Sequence, residues 1–356
     1  MKKLLTLLLI VGLGIFLFLK REKLPTPTIL QDKNSSAISQ KVVPKSIEAK
    51  ESVFVPYWTV NATSSLEGYE SAYYFGVEAT ENGITTDEIG YSRIGVFMEK
   101  TASIPNQFLV VRMVDKEVNS TVLRDEVAQK KIIDESIQVA QEYGFDGIVL
   151  DFEISSISFG AVTDRVTTFY TQASQSVKQS NLKFYVTLYG DTYYRVRAYD
   201  VKKIGELSDR VLIMAYDFHK SRGNPGPNFP MSGKDEYGYD FQQMIGDFTS
   251  EVSVEKIEVI FGMFGYDWEV DDDKKSLGNG VASSTDEFTG DYIDRCVVEQ
   301  CEWKRDSQSQ EIIVSYKSGD ADHIIWMEDK ESANRKKDYI QRLGIPYVSY
   351  WAYSYY

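Results

Sequence analysis

The chain has 356 residues, 43% apolar and 26% charged, with a formal net charge of −14. That composition describes an ordinary globular protein rather than a disordered or fibrous one. The acidic balance, without clustered Lys and Arg in the body of the chain, argues against nucleic acid as a partner, because phosphate recognition needs grouped cations. The 24 Tyr, 18 Phe and 5 Trp suit aromatic binding surfaces and core packing alike.

Lys2 and Lys3 precede a charge-free run from Leu4 to Leu19, and Lys20-Arg21-Glu22-Lys23 follows it. Its length falls between a signal-peptide core and a membrane span of about 20 residues. No small-X-small cleavage site follows directly and no Cys is placed for lipid attachment. Residues 1–22 are therefore expected to form an uncleaved signal anchor, with secretion after cleavage as the alternative. Basic residues on both sides leave its orientation undecided by charge. Residues 23–50, with Pro25, Pro27, Pro44 and many Ser, Lys and Gln, read as a polar tether. The remaining about 300 residues, 51–356, suffice for one large domain.

Within that domain strands are predicted at 53–60, 71–79, 107–114, 146–152, 183–189, 211–217, 257–264 and 346–351. Apolar spacing of three and four predicts helices at 124–142, 162–180, 200–207, 239–250 and 328–342. Eight strands separated by helices or long connections predict an α/β fold, a (β/α)8 TIM barrel, in which reactive groups gather at the carboxyl ends of the strands. The roughly 60 residues between the seventh strand and the last helix are too many for a plain loop. A small α+β insertion is predicted there, over about 268–327, with a helix near 285–298 and strands near 312–316 and 323–327. The sequence ends at Tyr356, shortly after the eighth strand, so no eighth outer helix is expected.

Cys296 and Cys301 both fall in the insertion. Outside the membrane they form a disulfide candidate, provided their Cα atoms lie within about 7 Å. Only His219 and His323 stand beside those cysteines, so no four-ligand zinc site is expected, nor any cofactor. His219, two residues beyond Asp217, reads as a hydrogen-bonded loop histidine.

Residues 145–153 read Phe-Asp-Gly-Ile-Val-Leu-Asp-Phe-Glu, an apolar strand ending in two carboxylates. Alternation along a strand puts Asp151 and Glu153 on one face with Val149 beneath them. Two carboxyl groups held that close cannot both ionise freely, and a raised pKa is what a general acid near neutral pH requires. Taken alone, Asp-X-Glu also fits a buried strand whose acidic end meets solvent.

The wider pattern resembles glycoside hydrolase family 18, the chitinase-like enzymes. That family's fourth-strand signature, Asp-Gly-X-Asp-X-Asp-X-Glu, is matched at Asp146, Gly147, Asp151 and Glu153, whereas Val149 stands where the family has Asp. Met214-Ala215-Tyr216-Asp217 resembles the sixth-strand motif, and Trp351 resembles the eighth-strand tryptophan under the sugar. Val55-Pro56-Tyr57-Trp58, Gly265-Tyr266-Asp267-Trp268 and Ile325-Trp326-Met327-Glu328-Asp329 are similar to segments of bacterial spore-germination and cortex-lytic members. The resemblance covers roughly residues 53–353, and it is the order of several motifs that makes it specific.

The resemblance implies substrate-assisted hydrolysis with retention, without an enzyme nucleophile. Glu153 would protonate the leaving oxygen and then activate water. Asp151 would orient the N-acetyl group whose carbonyl attacks the anomeric carbon, with Tyr216 donating to that carbonyl and Asp217 contacting the sugar. Trp351 would stack under the ring, and Tyr57, Trp58, Tyr266, Trp268 and Met214 are further substrate-binding candidates. The implied substrate is a β-1,4-linked N-acetylhexosamine polymer, peptidoglycan ahead of chitin. It would be met by a monomer held outside the cytoplasm by its membrane anchor. The missing family Asp at Val149 leaves a non-catalytic glycan-binding protein as the alternative.

Overall fold

Strands buried on both faces need a partner layer on each side, and a barrel ringed by helices supplies both. The computed structural model of the protein describes residues 48–62, 66–154, 159–290 and 301–356. Its strands are β1 (Lys50–Pro56), β2 (Ser71–Thr80), β3 (Gly83–Ile84), β4 (Asn106–Met113), β5 (Gly147–Phe152), β6 (Lys183–Tyr189) and β7 (Arg210–Ala215). They continue with β8 (Ile257–Gly262), β9 (Phe264–Val270), β10 (Val281–Ser284), β11 (Glu302–Arg305), β12 (Ile312–Ser318), β13 (Ala321–Met327) and β14 (Tyr347–Trp351). Every residue of β5, β7 and β8 is buried. Parallel pairing runs β1-β2-β4-β5-β6-β7-β8-β14, and β14 returns to β1 with Lys50 opposite Tyr347 and Val53 opposite Tyr350. The predicted (β/α)8 barrel is therefore closed.

The helices are α1 (Ile89–Ser92), α2 (Ile94–Lys100), α3 (Lys116–Val122), α4 (Glu126–Tyr143), α5 (Gly160–Gln179), α6 (Val201–Leu207), α7 (Lys234–Tyr237), α8 (Phe241–Thr249) and α9 (Lys330–Arg342). The signals that start and stop them are local. Asp125 accepts from the Val127 and Ala128 N–H groups at the start of α4, and Gly144, at φ 79°, ends it. Asp329 and Ser332 form a reciprocal capping box on α9. The short helices α1 to α3 were not anticipated.

Inside the barrel Phe54, Tyr73, Phe108, Val110, Val149, Tyr185, Leu212, Met214 and Ile260 form a buried apolar layer. A buried ion pair, Arg210 to Glu258 at 2.8 Å, lies toward the amino ends of the strands, and Tyr73 donates to the same carboxylate at 2.9 Å. Val149 thus lies in the interior, wholly buried, as alternation predicted.

The segment predicted as one strand over 257–264 divides. Met263 leaves the barrel ladder, its N–H donating to Trp351 O at 2.7 Å and its carbonyl accepting from Thr285 N at 3.1 Å. The insertion accordingly starts at Phe264 rather than near 268. It is dominated by a five-stranded antiparallel sheet in the order β10-β9-β13-β12-β11, of which β9, β10 and β11 were not predicted. The helix expected over 285–298 is present at 285–290, and its remainder lies outside the described residues. Cys301 is disulfide-bonded, while Cys296 lies outside the described residues. The expected anchor over 1–22 and all but the last residues of the tether also lie outside them. Among the described residues no helix is long and apolar enough to cross a membrane, and no helix follows β14. There Tyr353 N–H donates to Phe54 O at 2.8 Å, and the Tyr356 hydroxyl meets that of Tyr69 at 2.7 Å.

Candidate active site

The motif around β5 begins with two backbone constraints. Asp146 accepts from Gln107 N–H at 2.8 Å, which registers β5 against β4. At Gly147 a Cβ would sit 2.4 Å from Lys183 O and 2.8 Å from Phe108 Cε1, so only glycine fits where the strand enters the barrel. At the other end the Tyr199 hydroxyl donates to Phe152 O and accepts from Ile154 N–H, both at 2.8 Å. Asn119 donates from Nδ2 to Met113 O at 2.7 Å and Glu153 O at 2.9 Å. The carboxylate-bearing end of β5 is thereby fixed from two sides.

Asp151 is almost wholly buried and accepts a hydrogen bond from the Thr187 hydroxyl. Burial, reinforced by the charge of Glu153, pushes its pKa up to about 7, although Thr187 and Arg112 oppose the shift. Glu153 accepts from the Tyr189 hydroxyl. Its carboxyl is also held above the ordinary range, first by burial and further by Asp217, against the pull of Tyr189, Lys220 and Arg197. Both carboxyl groups are therefore held in the acid form more readily than free ones.

Asp217 follows β7 in the left-handed region, at φ 59°. Its N–H donates to Asn228 Oδ1 at 2.7 Å, and its carboxylate accepts from the Tyr266 hydroxyl at 2.6 Å. Burial raises its pKa as well. Asn228 in turn donates to Gly262 O and Phe264 O, each at 3.1 Å, spanning the junction of β8 and β9. The Glu311 carboxylate accepts from the N–H groups of Asn228 and Phe229, at 2.6 and 2.8 Å, and pairs with the buried Lys336 at 3.3 Å. Lys336 also contacts Glu328. Tyr216 lies close enough to Asp151, Glu153 and Asp217 for their charges to help hold its hydroxyl protonated, although burial is the larger cause.

Aromatic rings wall the adjoining groove. Trp351 packs edge-on to Phe75 at 4.6 Å and contacts Phe54 and Trp58 at 5.7 and 6.3 Å. Its peptide bond to Ala352 is cis. Trp58 and Trp351, with Phe264, Asp286, Glu287 and Tyr355, line a pocket of about 520 Å³, and Trp58 remains 44% exposed. Tyr57 packs against Trp58 at 5.0 Å, with Arg112 over its ring at 5.9 Å.

Of the predicted site residues, Asp151, Glu153, Tyr216 and Asp217 converge at the carboxyl ends of β5 and β7, while Trp58 and Trp351 face the groove. Three candidates sit otherwise. Trp268 is completely buried and donates from Nε1 to Ser221 O at 3.1 Å, so it packs the insertion and offers no face to a sugar. Met214 belongs to the apolar interior layer. Tyr266 is buried and touches the site through Asp217. His219 bonds Pro227 O at 2.8 Å, the loop role expected of it.

Thr187, Tyr189, Arg197, Lys220 and Asn228 escaped the sequence reading. Period-two alternation along 183–189 does place Tyr185, Thr187 and Tyr189 on one face. Arg197 stacks 3.8 Å from the Tyr189 ring centroid and is clamped by Asp191 at 2.6 and 3.0 Å. No local pattern announces that brace.

A closed parallel barrel with a carboxylate pair of raised pKa at its carboxyl rim, beside an aromatic-walled pocket, is the layout of a glycosidase. Residues 113–355, more than half of the chain, match the family model described as Glycosyl hydrolases family 18, and the chain belongs to that family. It is 24% identical over 322 residues to the cortical fragment-lytic enzyme of Bacillus cereus, covering 86% of this chain and 69% of that one. The crystal structure of the Bacillus cereus spore cortex-lytic enzyme SleL superposes with a TM-score of 0.71 at 19% identity, covering 88% of this chain and 72% of that one. The Group IV chitinase of Ostrinia furnacalis gives 0.74 at 14% identity, covering 86% and 93%.

Proposed function

We propose that the protein cleaves a β-1,4-linked N-acetylhexosamine polymer, peptidoglycan in preference to chitin, by substrate-assisted hydrolysis with retention. The observation that carries this reading is the Asp151–Glu153 pair, Asp151 buried and Glu153 partly so, both with raised pKa values and each bonded to its own hydroxyl donor. Glu153, whose acid form burial favours, gives its proton to the leaving oxygen and then draws one from water. Asp151 accepts from the acetamido N–H as a carboxylate and stabilises the positive charge that builds on that nitrogen. Tyr216 donates to the acetamido oxygen as that atom closes on the anomeric carbon. Asp217, held by Asn228 and Tyr266, contacts the distorted sugar above Trp351.

The preference for peptidoglycan is supported by the likeness to cortical fragment-lytic enzymes. The charge-flanked run Leu4–Leu19 supports an extracytoplasmic placement at the membrane.

Glu153→Gln keeps shape and hydrogen bonding but lacks the transferable proton, so hydrolysis is expected to fall about 10²–10⁴-fold while glycan binding persists. De-N-acetylated glycan should resist cleavage by the unmodified protein. Equal hydrolysis of acetylated and de-acetylated strands, identified by product mass, would point to an enzyme nucleophile instead. The second reading, a glycan binder without catalysis, is favoured by Val149 alone. Intact oligomers recovered from the unmodified protein with undiminished binding would establish it.

A further inference from the structure

β6 ends at Tyr189, whose hydroxyl donates to the Glu153 carboxylate. Burial, and after it the charge of Glu153, keeps that hydroxyl protonated, so it can donate whichever charge Glu153 carries. Its direction has a further support. The Arg197 guanidinium lies 3.8 Å from the centre of the Tyr189 ring and is itself fixed by Asp191, Nε to Oδ1 at 2.6 Å and Nη2 to Oδ2 at 3.0 Å. Both side chains of that ion pair are only 5% exposed, so solvent screens it little.

Asp191 and Arg197 belong to the loop between β6 and α6, and its backbone is wound to bring them together. Arg195 Nε also donates to Asp191, and the chain turns back between the two arginines. Arg197 N–H donates to Thr192 O at 3.0 Å, which leaves Val196 at φ 49°. A β-branched residue in the left-handed region is strained, and such strain persists only where the surroundings impose it. Here the two arginine pairs on Asp191 impose it.

The Tyr189–Glu153 bond is stronger to the anion than to the neutral acid, so it loosens and tightens each time Glu153 regains or gives up a proton. A flat guanidinium against the ring blocks its swing on that side, whereas an ammonium on a flexible stem presents no such face. Resting on the glycosidase reading above, we propose that Arg197 is a positioning residue for proton transfer: locked by Asp191, it pins the Tyr189 ring so that the hydroxyl stays on Glu153 through both halves of the cycle. Other groups also face Glu153. Asp151 shares its strand, Tyr199 lies nearby, Tyr216, Asp217 and Lys220 come from β7 and the loop after it, and Lys116, Arg124 and Arg165 surround a cavity that Glu153 also lines. The test therefore keeps every charge in place.

Arg197→Lys retains a cation for Asp191 and Glu153 and removes the flat face. Weaker donation to the Glu153 anion raises its pKa, so the alkaline limb of kcat/KM for glycan hydrolysis should move upward, in the same direction as in Tyr189→Phe. At the pH optimum kcat should fall about tenfold with KM little changed. Added to Tyr189→Phe, the same substitution should have no further effect, since the residue it acts through is gone. A limb that stays in place in Arg197→Lys, or equal shifts in both backgrounds, would overturn the proposal. Carbon-13 NMR of the Glu153 carboxyl, its signal identified by its loss in Glu153→Gln, reads the same brace without hydrolysis. A titration midpoint raised by Arg197→Lys supports the brace even in a protein that cuts no glycan, where it is the glycosidase reading that fails. A midpoint that Arg197→Lys leaves unmoved overturns the brace.

Discussion

In the proposed mechanism Glu153 must hold a proton and later recover one, and its neighbours pull in opposite directions. Burial and Asp217 favour the neutral acid, whereas Tyr189, Lys220 and Arg197 favour the anion. Tyr189→Phe removes a donor to the charged form, so the folded pKa rises further and the acid stays protonated to higher pH. The alkaline limb of the kcat/KM profile should move upward by about one unit or less. A limb that stays in place or moves down would show that another group sets it. Val149 is a different case. It is wholly buried against Phe, Tyr and Leu side chains in the barrel interior. Val149→Asp, which restores the family pattern, puts a second carboxyl beneath Asp151 in a layer of apolar and aromatic side chains where the Tyr73 hydroxyl is already committed to Glu258. The variant should lose a few kcal/mol of stability, seen as a lower Tm, rather than gain activity.

At the scale of elements, the loop after β7 carries the site's least ordinary backbone. Asp217 holds a left-handed conformation because Asn228 receives its N–H while bridging Gly262 O and Phe264 O. Asn228→Ala leaves those groups unpaired, a loss of about 1–3 kcal/mol. Well below the Tm, kcat should still fall about tenfold, since Asp217 loses its placement, and the alkaline limb set by Glu153 should move down slightly as the Asp217 charge withdraws from it. A kcat that drops only in proportion to the folded fraction would deny the positioning role.

This arrangement also shows where sequence reading stops. β5, β7 and β14 were legible because short apolar runs ended in polar or aromatic residues of recognisable order. Thr187 and Tyr189 sat in a correctly predicted strand, but Phe184, Val186 and Leu188 between them are equally apolar, so the inward face left no signature. The division of β8 from β9 was hidden for a similar reason: Val259 to Phe264 reads as one apolar run within the predicted strand 257–264, and the break at Met263 depends on a hydrogen bond to Trp351. Asn228, Glu311 and Lys336 are far apart in sequence, and Lys336 looks like any surface charge on a helix.

Across the whole molecule, Lys336 is where insertion and barrel are joined. It is completely buried on α9, between Glu311, which leads into β12, and Glu328, which follows β13. Burial, with the nearby Glu311 charge, raises Glu328 to about 8 even though Lys336 opposes the shift. Lys336→Met would leave both acids without their cation, and removing one partner of a buried pair costs about 3–5 kcal/mol. Calorimetry should show one transition at lower temperature. Separate melting of barrel and insertion would contradict their joining through this residue.

The position of β14 has a consequence for how the protein is made. This last strand fills the gap between β1 and β8. Until residue 351 has left the ribosome, the nascent barrel therefore presents two open strand edges, the exposed pairing surfaces that invite aggregation. Trp351 closes the ring and also forms part of the groove wall. Closing the ring and completing that wall are thus one step, and translation halted before Tyr347 yields neither.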